Sequence, residues 1–284
     1  MRFGLDVPTT GEYAAPHALA DLAVEAEAAG WNSFLLWDVL LGNASMSQPI
    51  ADPWIALAET ALRTSRIRIG ILALPLARHR PWLVARRLAA LDQLSSGRMI
   101  CAVGLGHLDR DFSAFGEASE LALRAHKVDE GLAILDGLWR NDSFSFAGDH
   151  YTLDNVRLLP RPLQAPRIPL WVAAGWPHRA PMRRAARWDG ICLKSRHAIT
   201  HKPLAPADLR DSVAYVREHR SLVGIAPDAP FEIVMSGESS ADVRQGADEV
   251  APYAEAGATW WMEEGLGWTR DEFRQRIHSG PPRI

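Results

Sequence analysis

The sequence has little cysteine and no excess of positive charge. Two cysteines occur in 284 residues, and the formal net charge is −3 at pH 7. Two cysteines cannot build a disulfide framework, and this balance lacks the basic footprint that a nucleic-acid binder needs to neutralise phosphates. Cys101 and Cys192 stand inside apolar runs, which predicts buried, reduced thiols. The composition excludes a disulfide scaffold and argues against a nucleic-acid partner.

Long apolar segments are also missing. No stretch approaches the roughly 18 uncharged apolar residues of a membrane span. The first residues, MRFGLDVPTT, have neither the basic nor the apolar region of a signal peptide. Hydrophobic residues still make up 48% of the chain, enough for one large core. We expect a soluble, cytoplasmic protein with no membrane partner, folded as a single domain over residues 1–284.

Short apolar runs alternate with longer segments whose apolar residues return at intervals of three and four, the period of a helix. Eight of these runs are almost continuously hydrophobic, as are strands of a parallel sheet covered on both faces. They are Arg2 to Val7, Ser33 to Trp37, Ile67 to Leu74, Met99 to Val103, Ile168 to Ala173, Gly190 to Lys194, Phe231 to Ser236 and Ala258 to Met262. Eight β-then-α units predict an α/β fold, a (β/α)8 TIM barrel, with a doubly wound open sheet as the competitor.

One segment is extra to the minimal barrel. SFSFAGDHYTLDNV, residues 143–156, contains two alternating stretches that turn at Gly148-Asp149. This pattern predicts a small hairpin inserted between helix 4 and strand 5.

The active site of such a barrel lies at the carboxyl ends of its strands. Two predicted strand ends carry glycines, VGLGH at 103–107 and AAGWPHR at 173–179. Glycines there let backbone amides approach a phosphate group, but they also form plain tight turns. The residues alone do not decide between a phosphate-binding loop and a plain tight turn.

Other chemistry at the strand ends is weakly indicated. The histidines have irregular spacing, so we predict no metal site. Asp38 with Glu263 could form an acid/base pair, although one of two adjacent glutamates is usually just solvated. Lys194, at the end of the sixth predicted strand, could form a Schiff base or a salt bridge at the rim.

Five ordered segments of the chain resemble the luciferase-like monooxygenase family of flavin- and deazaflavin-dependent oxidoreductases. They are AEAAGWNSFLLWDVL (26–40), DPWIALAETALRTSRIRIGILALPLARHRP (52–81), ARRLAALDQLSSGRMICAVGLG (85–106), FAGDHYTLDNVRLLPRPLQAPRIPLWVAAGWP (146–177) and RRAARWDG (183–190). The resemblance is close over roughly residues 1 to 195 and looser beyond.

The resemblance implies a barrel that holds FMN or the deazaflavin F420 at its carboxyl-terminal mouth. In the family a non-prolyl cis peptide near the end of strand 3 supports the ring, which here implies a cis bond at about Leu72-Ala73. The two glycine-containing strand ends would hold the ring, ribityl chain and phosphate. The implied cofactor-binding residues are Leu72, Ala73, Gly104, Gly106, Ala174, Gly175, Trp176 and Arg179.

The chain departs from the family where proton transfer is concerned. Family members commonly have a His after the acidic residue that ends strand 2, whereas this chain has Val39 after Asp38. F420-using relatives often carry a Glu after the strand-4 glycines, and His107 occupies that place. His107 is therefore the first candidate for the general acid/base, with Asp38 and His79 as further catalytic candidates. A loop histidine that only packs is the alternative for His107.

Aromatic side chains at predicted strand ends could line a substrate cavity, because apolar walls exclude water from a reactive flavin. We assign Trp37, Val39 and Trp261 to this role, with Trp176 and Trp260 as further wall residues. Substrate identity depends on the mouth loops, Leu40 to Ala51 and Arg196 to Pro206.

The resemblance implies an oxidoreductase or monooxygenase acting on a small organic molecule, with a separate flavin or F420 reductase as a partner. By analogy with the family we expect a homodimer. Val39 leaves open a second hypothesis, a non-catalytic flavin-binding barrel, and Lys194 a third, a Schiff-base lyase.

Overall fold

The computed structural model describes residues 1–41, 48–194, 203–265 and 267–284. Its strands are β1 (Arg2–Val7), β2 (Ser33–Leu36), β3 (Arg68–Pro75), β4 (Met99–Gly104), β5 (Phe144–Ala147), β6 (Thr152–Val156), β7 (Leu170–Gly175), β8 (Gly190–Lys194), β9 (Glu232–Gly237) and β10 (Trp260–Glu264). Within these ranges, eight parallel strands close into a barrel in the order β1-β10-β9-β8-β7-β4-β3-β2. The predicted TIM barrel is confirmed.

The two remaining strands form the predicted insertion. β5 and β6 pair in antiparallel register, Ala147 opposite Thr152, between the fourth and fifth barrel strands. The carboxylate of Glu130 accepts hydrogen bonds from the backbone N–H groups of Asp149, His150 and Tyr151 at the tip. This side chain ties the hairpin to the helix behind it.

Helices cover the outside of the barrel. They are α1 (Pro16–Ala29), α2 (Pro53–Arg63), α3 (Pro81–Leu94), α4 (Arg110–Ser113), α5 (Leu121–Arg140), α6 (Arg179–Ala185), α7 (Pro206–Leu222), α8 (Val243–Glu255) and α9 (Arg270–His278). Proline begins α1, α2, α3 and α7, where its missing N–H costs nothing. Asp52 caps α2 by accepting from the N–H groups of Trp54 and Ile55. Among the described helices, none has the length and apolar content to cross a membrane.

The strands bury both of their faces. Inward side chains fill the barrel, including Leu35, Leu72, Ala102, Trp171 and Trp260. Outward side chains pack against the helices in a second, larger layer. Both cysteines are buried thiols outside any disulfide, as predicted, and burial raises the pKa of the Cys101 thiol to about 12.

Arg98 fastens the amino-terminal end of the barrel. Its guanidinium donates to the carbonyls of Ser95, Ile67, Ala61 and Thr64 and to Oγ1 of Thr64, at 2.6 to 2.9 Å. These acceptors include the last turn of α2 and the approach to β3, so one buried side chain satisfies carbonyls that the helix leaves unpaired.

Candidate active site

Small residues form the floor of the carboxyl-terminal mouth. Ala73 follows a cis peptide bond to Leu72, at the position that the resemblance implied. A Cβ built on Gly104 would lie 3.4 Å from that of Ala73 and 3.6 Å from that of Ala173. These three positions, on β3, β4 and β7, are partly exposed, whereas Leu72 and Trp171 below them are buried. At these three strands the base of the mouth therefore consists of small residues.

The turn after β4 needs its second glycine for packing. Gly106 has φ +88°, and a Cβ there would lie 2.8 Å from Cε2 of Phe112. Arg124, almost fully buried, donates to the carbonyl of Gly106 at 3.0 Å. These contacts show why the turn requires a glycine at position 106. They do not test the predicted role of Gly106 in cofactor binding, which stays a prediction.

A buried charge cluster lies at the rim of the mouth. Arg78 pairs with one oxygen of Asp38, and its Nη1 lies 3.0 Å from Oδ2 of Asp111. The second oxygen of Asp38 lies 2.9 Å from Nε2 of His79. All three ion-paired side chains are at most 8% exposed, and His79 is 18% exposed. The structure thus joins two of the predicted catalytic residues, Asp38 and His79, in one network.

Asp111 is the member of this charge cluster that the sequence did not indicate. Besides pairing with Arg78, it accepts from the backbone N–H groups of Leu40 and Leu41, at 3.3 and 3.0 Å. It lies in the four-residue helix α4, beyond the strand end, and no motif marks it. Only the fold brings α4 beside the segment that follows β2.

Trp37 lies at the mouth as predicted for a wall residue. Its indole N–H donates to Oδ1 of Asp6 at 2.6 Å, and the Asp6 side chain is fully buried. Trp37 and Val39 are both partly exposed. The hydrogen bond to Asp6 therefore fixes the orientation of the indole. Val39 puts an apolar residue next to Asp38 in the chain.

His107 is exposed in the turn after β4. It makes no hydrogen bond or ion pair with any residue in the described ranges, in contrast to His79. Its candidacy as general acid/base remains a prediction that the geometry does not strengthen.

The end of β7 offers an open glycine and a stacked arginine. A Cβ on Gly175 would meet only Cδ2 of His178, at 3.9 Å. The guanidinium carbon of Arg179 lies 4.8 Å from the ring centre of Trp176 and 4.2 Å from that of Tyr215. No carboxylate among the described residues pairs with Arg179, so its charge is available to an anion.

Comparison with known families decides the identity of the fold. The model of the luciferase-like monooxygenase family matches residues 1–279. The chain belongs to this family. The expectation drawn from the five sequence segments is confirmed.

Relatives within and around the luciferase-like family use F420 or FMN. An F420-dependent glucose-6-phosphate dehydrogenase of Amycolatopsis mediterranei (strain U-32) is 34% identical over 196 residues, which are 66% of this chain and 56% of the relative. The chain spans about half the length of such curated relatives, from 51% to 62% of the first four.

Solved structures share the luciferase-like fold. An F420-dependent secondary alcohol dehydrogenase in complex with an F420-acetone adduct has a TM-score of 0.81 at 18% identity, covering 98% of this chain and 97% of that one. The oxygenating constituent of 3,6-diketocamphane monooxygenase from Pseudomonas putida, in complex with FMN, has a TM-score of 0.66 at 18% identity, covering 88% and 71%.

The luciferase-like mouth does not include Trp260 and Trp261, which the sequence placed there. β10 extends to Glu264, so both tryptophans begin the strand, and Trp260 pairs with Arg2 at the start of β1. Trp261 faces outward, where its ring centre lies 5.0 Å from that of Tyr253 on α8. The predicted strand ended two residues early because the charged pair Glu263-Glu264 looked like a strand end.

Glu263 and Ala174 also point away from the mouth. The fully buried carboxylate of Glu263 pairs with Arg276 at 3.1 Å and accepts from the N–H and hydroxyl of Ser239, so an acid/base pair of Asp38 with Glu263 is wrong. The side chain of Ala174 packs in the outer layer, which leaves only its backbone for a cofactor.

Some predictions fall outside the described residues. The side chain of Lys194 is one, and most of the mouth loops at 40–51 and 196–206 is another. In the ranges that the structure does describe, no group of three or more His, Cys, Asp or Glu side chains could hold a metal ion.

Proposed function

We propose that this chain is an F420-dependent oxidoreductase that dehydrogenates a small hydroxyl-bearing substrate at the barrel mouth. The observation that carries the proposal is the base of small residues formed by Ala73, Gly104 and Ala173 beside the Asp38–His79 pair. A planar ring system needs a surface without projecting side chains, and the residues present fit one. When bound, the cofactor supplies the two-electron redox chemistry, and the protein supplies position, shielding and proton transfer.

The neutral form of His79 has a defined tautomer in this network. An ionised carboxylate only accepts hydrogen bonds, so the Nε2–H of His79 donates to Asp38. Nδ1 is then the unprotonated nitrogen and has no partner among the described residues. We propose that Nδ1 takes the proton of the substrate hydroxyl, as a general base near neutral pH does.

The other residues of the mouth position the reactants. Arg78 pairs with both Asp38 and Asp111, so it holds the Asp38 carboxylate in place. Trp37, fixed by Asp6, would shield one side of the reacting groups from water, and Arg179 would contact a phosphate of the cofactor. The dehydrogenases named above act on a sugar phosphate and a secondary alcohol, which supports a hydroxyl group as the site of reaction.

Binding and turnover test the proposal separately. F420 added to the protein should show quenched fluorescence and co-elute on gel filtration, and a panel of alcohols and sugar phosphates should then reduce it. Binding of neither F420 nor FMN at high micromolar concentration would end the proposal. Binding of FMN alone would favour a flavin monooxygenase, and stoichiometric binding without turnover would favour the non-catalytic barrel.

We also propose that the chain is a homodimer and that a separate enzyme regenerates its cofactor. The proposed dehydrogenation leaves F420 reduced, so this enzyme must oxidise it; the flavin or F420 reductase expected from the sequence would serve only a reaction that consumes the reduced cofactor. Apolar side chains on α2 and α3 support the first point, since Ile55, Leu62 and Leu83 are 61%, 70% and 45% exposed. Light scattering after gel filtration should give the mass of two chains, and Leu62→Asp should shift it towards one. A monomeric parent protein would contradict the proposal.

A further inference from the structure

The amino-terminal end of the barrel, opposite the mouth, contains a second hollow. It has a volume of about 380 Å³ and opens to solvent. The first inward residues of several strands line it, with the loop that precedes β7. The residues that matter here are Arg2, Arg68, Gln164, Trp171, Glu232 and Trp260.

Arg68 lines this hollow, and most of its guanidinium N–H groups have no hydrogen-bond acceptor among the described residues. Its Nη2 donates to Oε1 of the neutral Gln164 at 2.9 Å. No carboxylate in the described ranges pairs with Arg68, and its Nε is buried without a partner. Burying a guanidinium is costly unless acceptors surround it.

Other buried arginines at the same end of the barrel are satisfied by backbone carbonyls. Arg98 donates to five oxygen atoms, and Arg220 donates to the carbonyls of Ala186 and Trp188 at 3.1 and 2.9 Å. Arg68 donates to no backbone carbonyl among the described residues. Its environment therefore differs from that of an arginine that serves only to close a helix end.

The nearest charges leave the hollow positive. Arg2 pairs with Glu232, and that carboxylate also accepts from Oγ1 of Thr259 at 2.6 Å, whereas it forms no ion pair with Arg68. Burial and the positive charge of Arg2 both lower the pKa of Arg68. The indole N–H groups of Trp171 and Trp260, which border the hollow, are buried without partners as well. The hollow is lined by three arginines and two carboxylates; Glu232 pairs with Arg2 and Asp189 with Arg167, so that among the described residues Arg68 is the charged group of the lining without an ion-pair partner.

We propose that this hollow binds a small oxyanion, a phosphate or a carboxylate, held by the guanidinium groups of Arg68 and Arg2. The planar guanidinium is the side chain best suited to both groups, because it presents several N–H donors to two oxygens at once. The site lies at the end of the barrel remote from the mouth. A ligand there stabilises the folded barrel and does not compete with the cofactor.

Isothermal titration of the full-length protein tests the site, with inorganic phosphate in one arm and acetate in the other at constant ionic strength. We expect saturable binding in at least one arm. Arg68→Gln should weaken it about tenfold or more, the loss expected for one charge-assisted interaction. Arg66→Gln removes a charge from an exposed side chain two residues away and should leave the dissociation constant unchanged within about twofold.

Two further variants keep the result decisive. Arg2→Gln carries the same test if circular dichroism shows that Arg68→Gln does not fold. Arg179→Gln removes the arginine proposed above for the cofactor phosphate, so phosphate binding that persists in this variant does not depend on the mouth arginine, and we expect binding to the hollow to persist. Absence of binding in both arms of the parent protein, equal affinity in the Arg68 and Arg66 variants, or loss of affinity in Arg179→Gln alone would overturn the proposal.

Discussion

Nε2 of His79 lies 2.9 Å from Oδ2 of Asp38, and Arg78 occupies the other oxygen of that carboxylate. The pair sets both the orientation and the tautomer of the imidazole. His107, by contrast, has no described partner that would orient it. The residue after Asp38 is Val39, so the proton-transfer group commonly found there in the family is absent. His79 reaches Asp38 from the segment after β3 and can supply that group instead.

We predict that His79→Gln lowers kcat by about 10²-fold or more, the usual contribution of a general base. The dissociation constant of F420 should change by less than about twofold, because the cofactor is proposed to rest on the small residues of the floor. Steady-state kinetics with the best alcohol substrate and fluorescence titration measure the two quantities. His107→Gln is the matched control and should retain most of the activity. A large loss of kcat in His107→Gln with little change in His79→Gln would instead assign the general base to His107.

The two glycine sites should respond differently to alanine. Gly106→Ala places a methyl group 2.8 Å from Phe112 at φ +88°, so we predict a loss of about 1 to 3 kcal/mol in the free energy of unfolding. Gly175→Ala meets only an ordinary contact at 3.9 Å and should change that free energy by less than about 0.5 kcal/mol. Urea denaturation measures both.

Gly175→Ala then reports on the cofactor. If the cofactor lies against the end of β7, the added methyl group should raise its dissociation constant while stability stays constant. Unchanged F420 affinity in this variant would show that Gly175 does not contact the cofactor.

The sequence predicted the barrel well and the side-chain directions poorly, for one physical reason. Continuous apolar runs mark strands that are buried on both faces, so they reveal the strand but not which residues point inward. Trp261 was assigned to the mouth and lies outside the barrel for this reason. Trp37 does follow the end of β2, where Asp38 marks the strand end, and its role as a wall residue stays a prediction. The Asp38–Arg78–Asp111 network could not be predicted from the sequence, because its members lie 33 to 73 positions apart in the chain and only the fold brings them together.

Arg98→Lys should destabilise the protein strongly. An ammonium group cannot reproduce the planar set of donors that now satisfies five oxygen atoms, so several buried carbonyls would lose their partners. We predict a loss of about 2 to 4 kcal/mol in the free energy of unfolding. Arg66→Lys, on an exposed side chain, should cost less than about 0.5 kcal/mol. Equal values for the two variants in urea denaturation would contradict this assignment.

Glu27 should make stability depend on pH. Its carboxylate accepts from the backbone N–H groups of Ser65, Arg66 and Ile67, at 3.0, 2.6 and 2.8 Å. Partial burial by itself raises the pKa of Glu27, but these hydrogen bonds outweigh it and lower the pKa below the ordinary 4.5. Because the folded-state pKa is the lower one, the stabilisation is complete above about pH 4.5 and disappears as the pH falls through the folded-state value.

Glu27→Gln should therefore cost about 1 kcal/mol at pH 7, a modest figure because the side chain is partly exposed. The difference from the parent protein should shrink as the pH falls below 4.5 and through the lowered folded-state pKa, because the parent carboxylate then becomes protonated. Urea denaturation across this pH range measures it. Glu218→Gln, at an exposed position on α7, should show little difference at any pH. A constant cost for Glu27→Gln from pH 7 to pH 3 would mean that the shape of the side chain matters there and its charge does not.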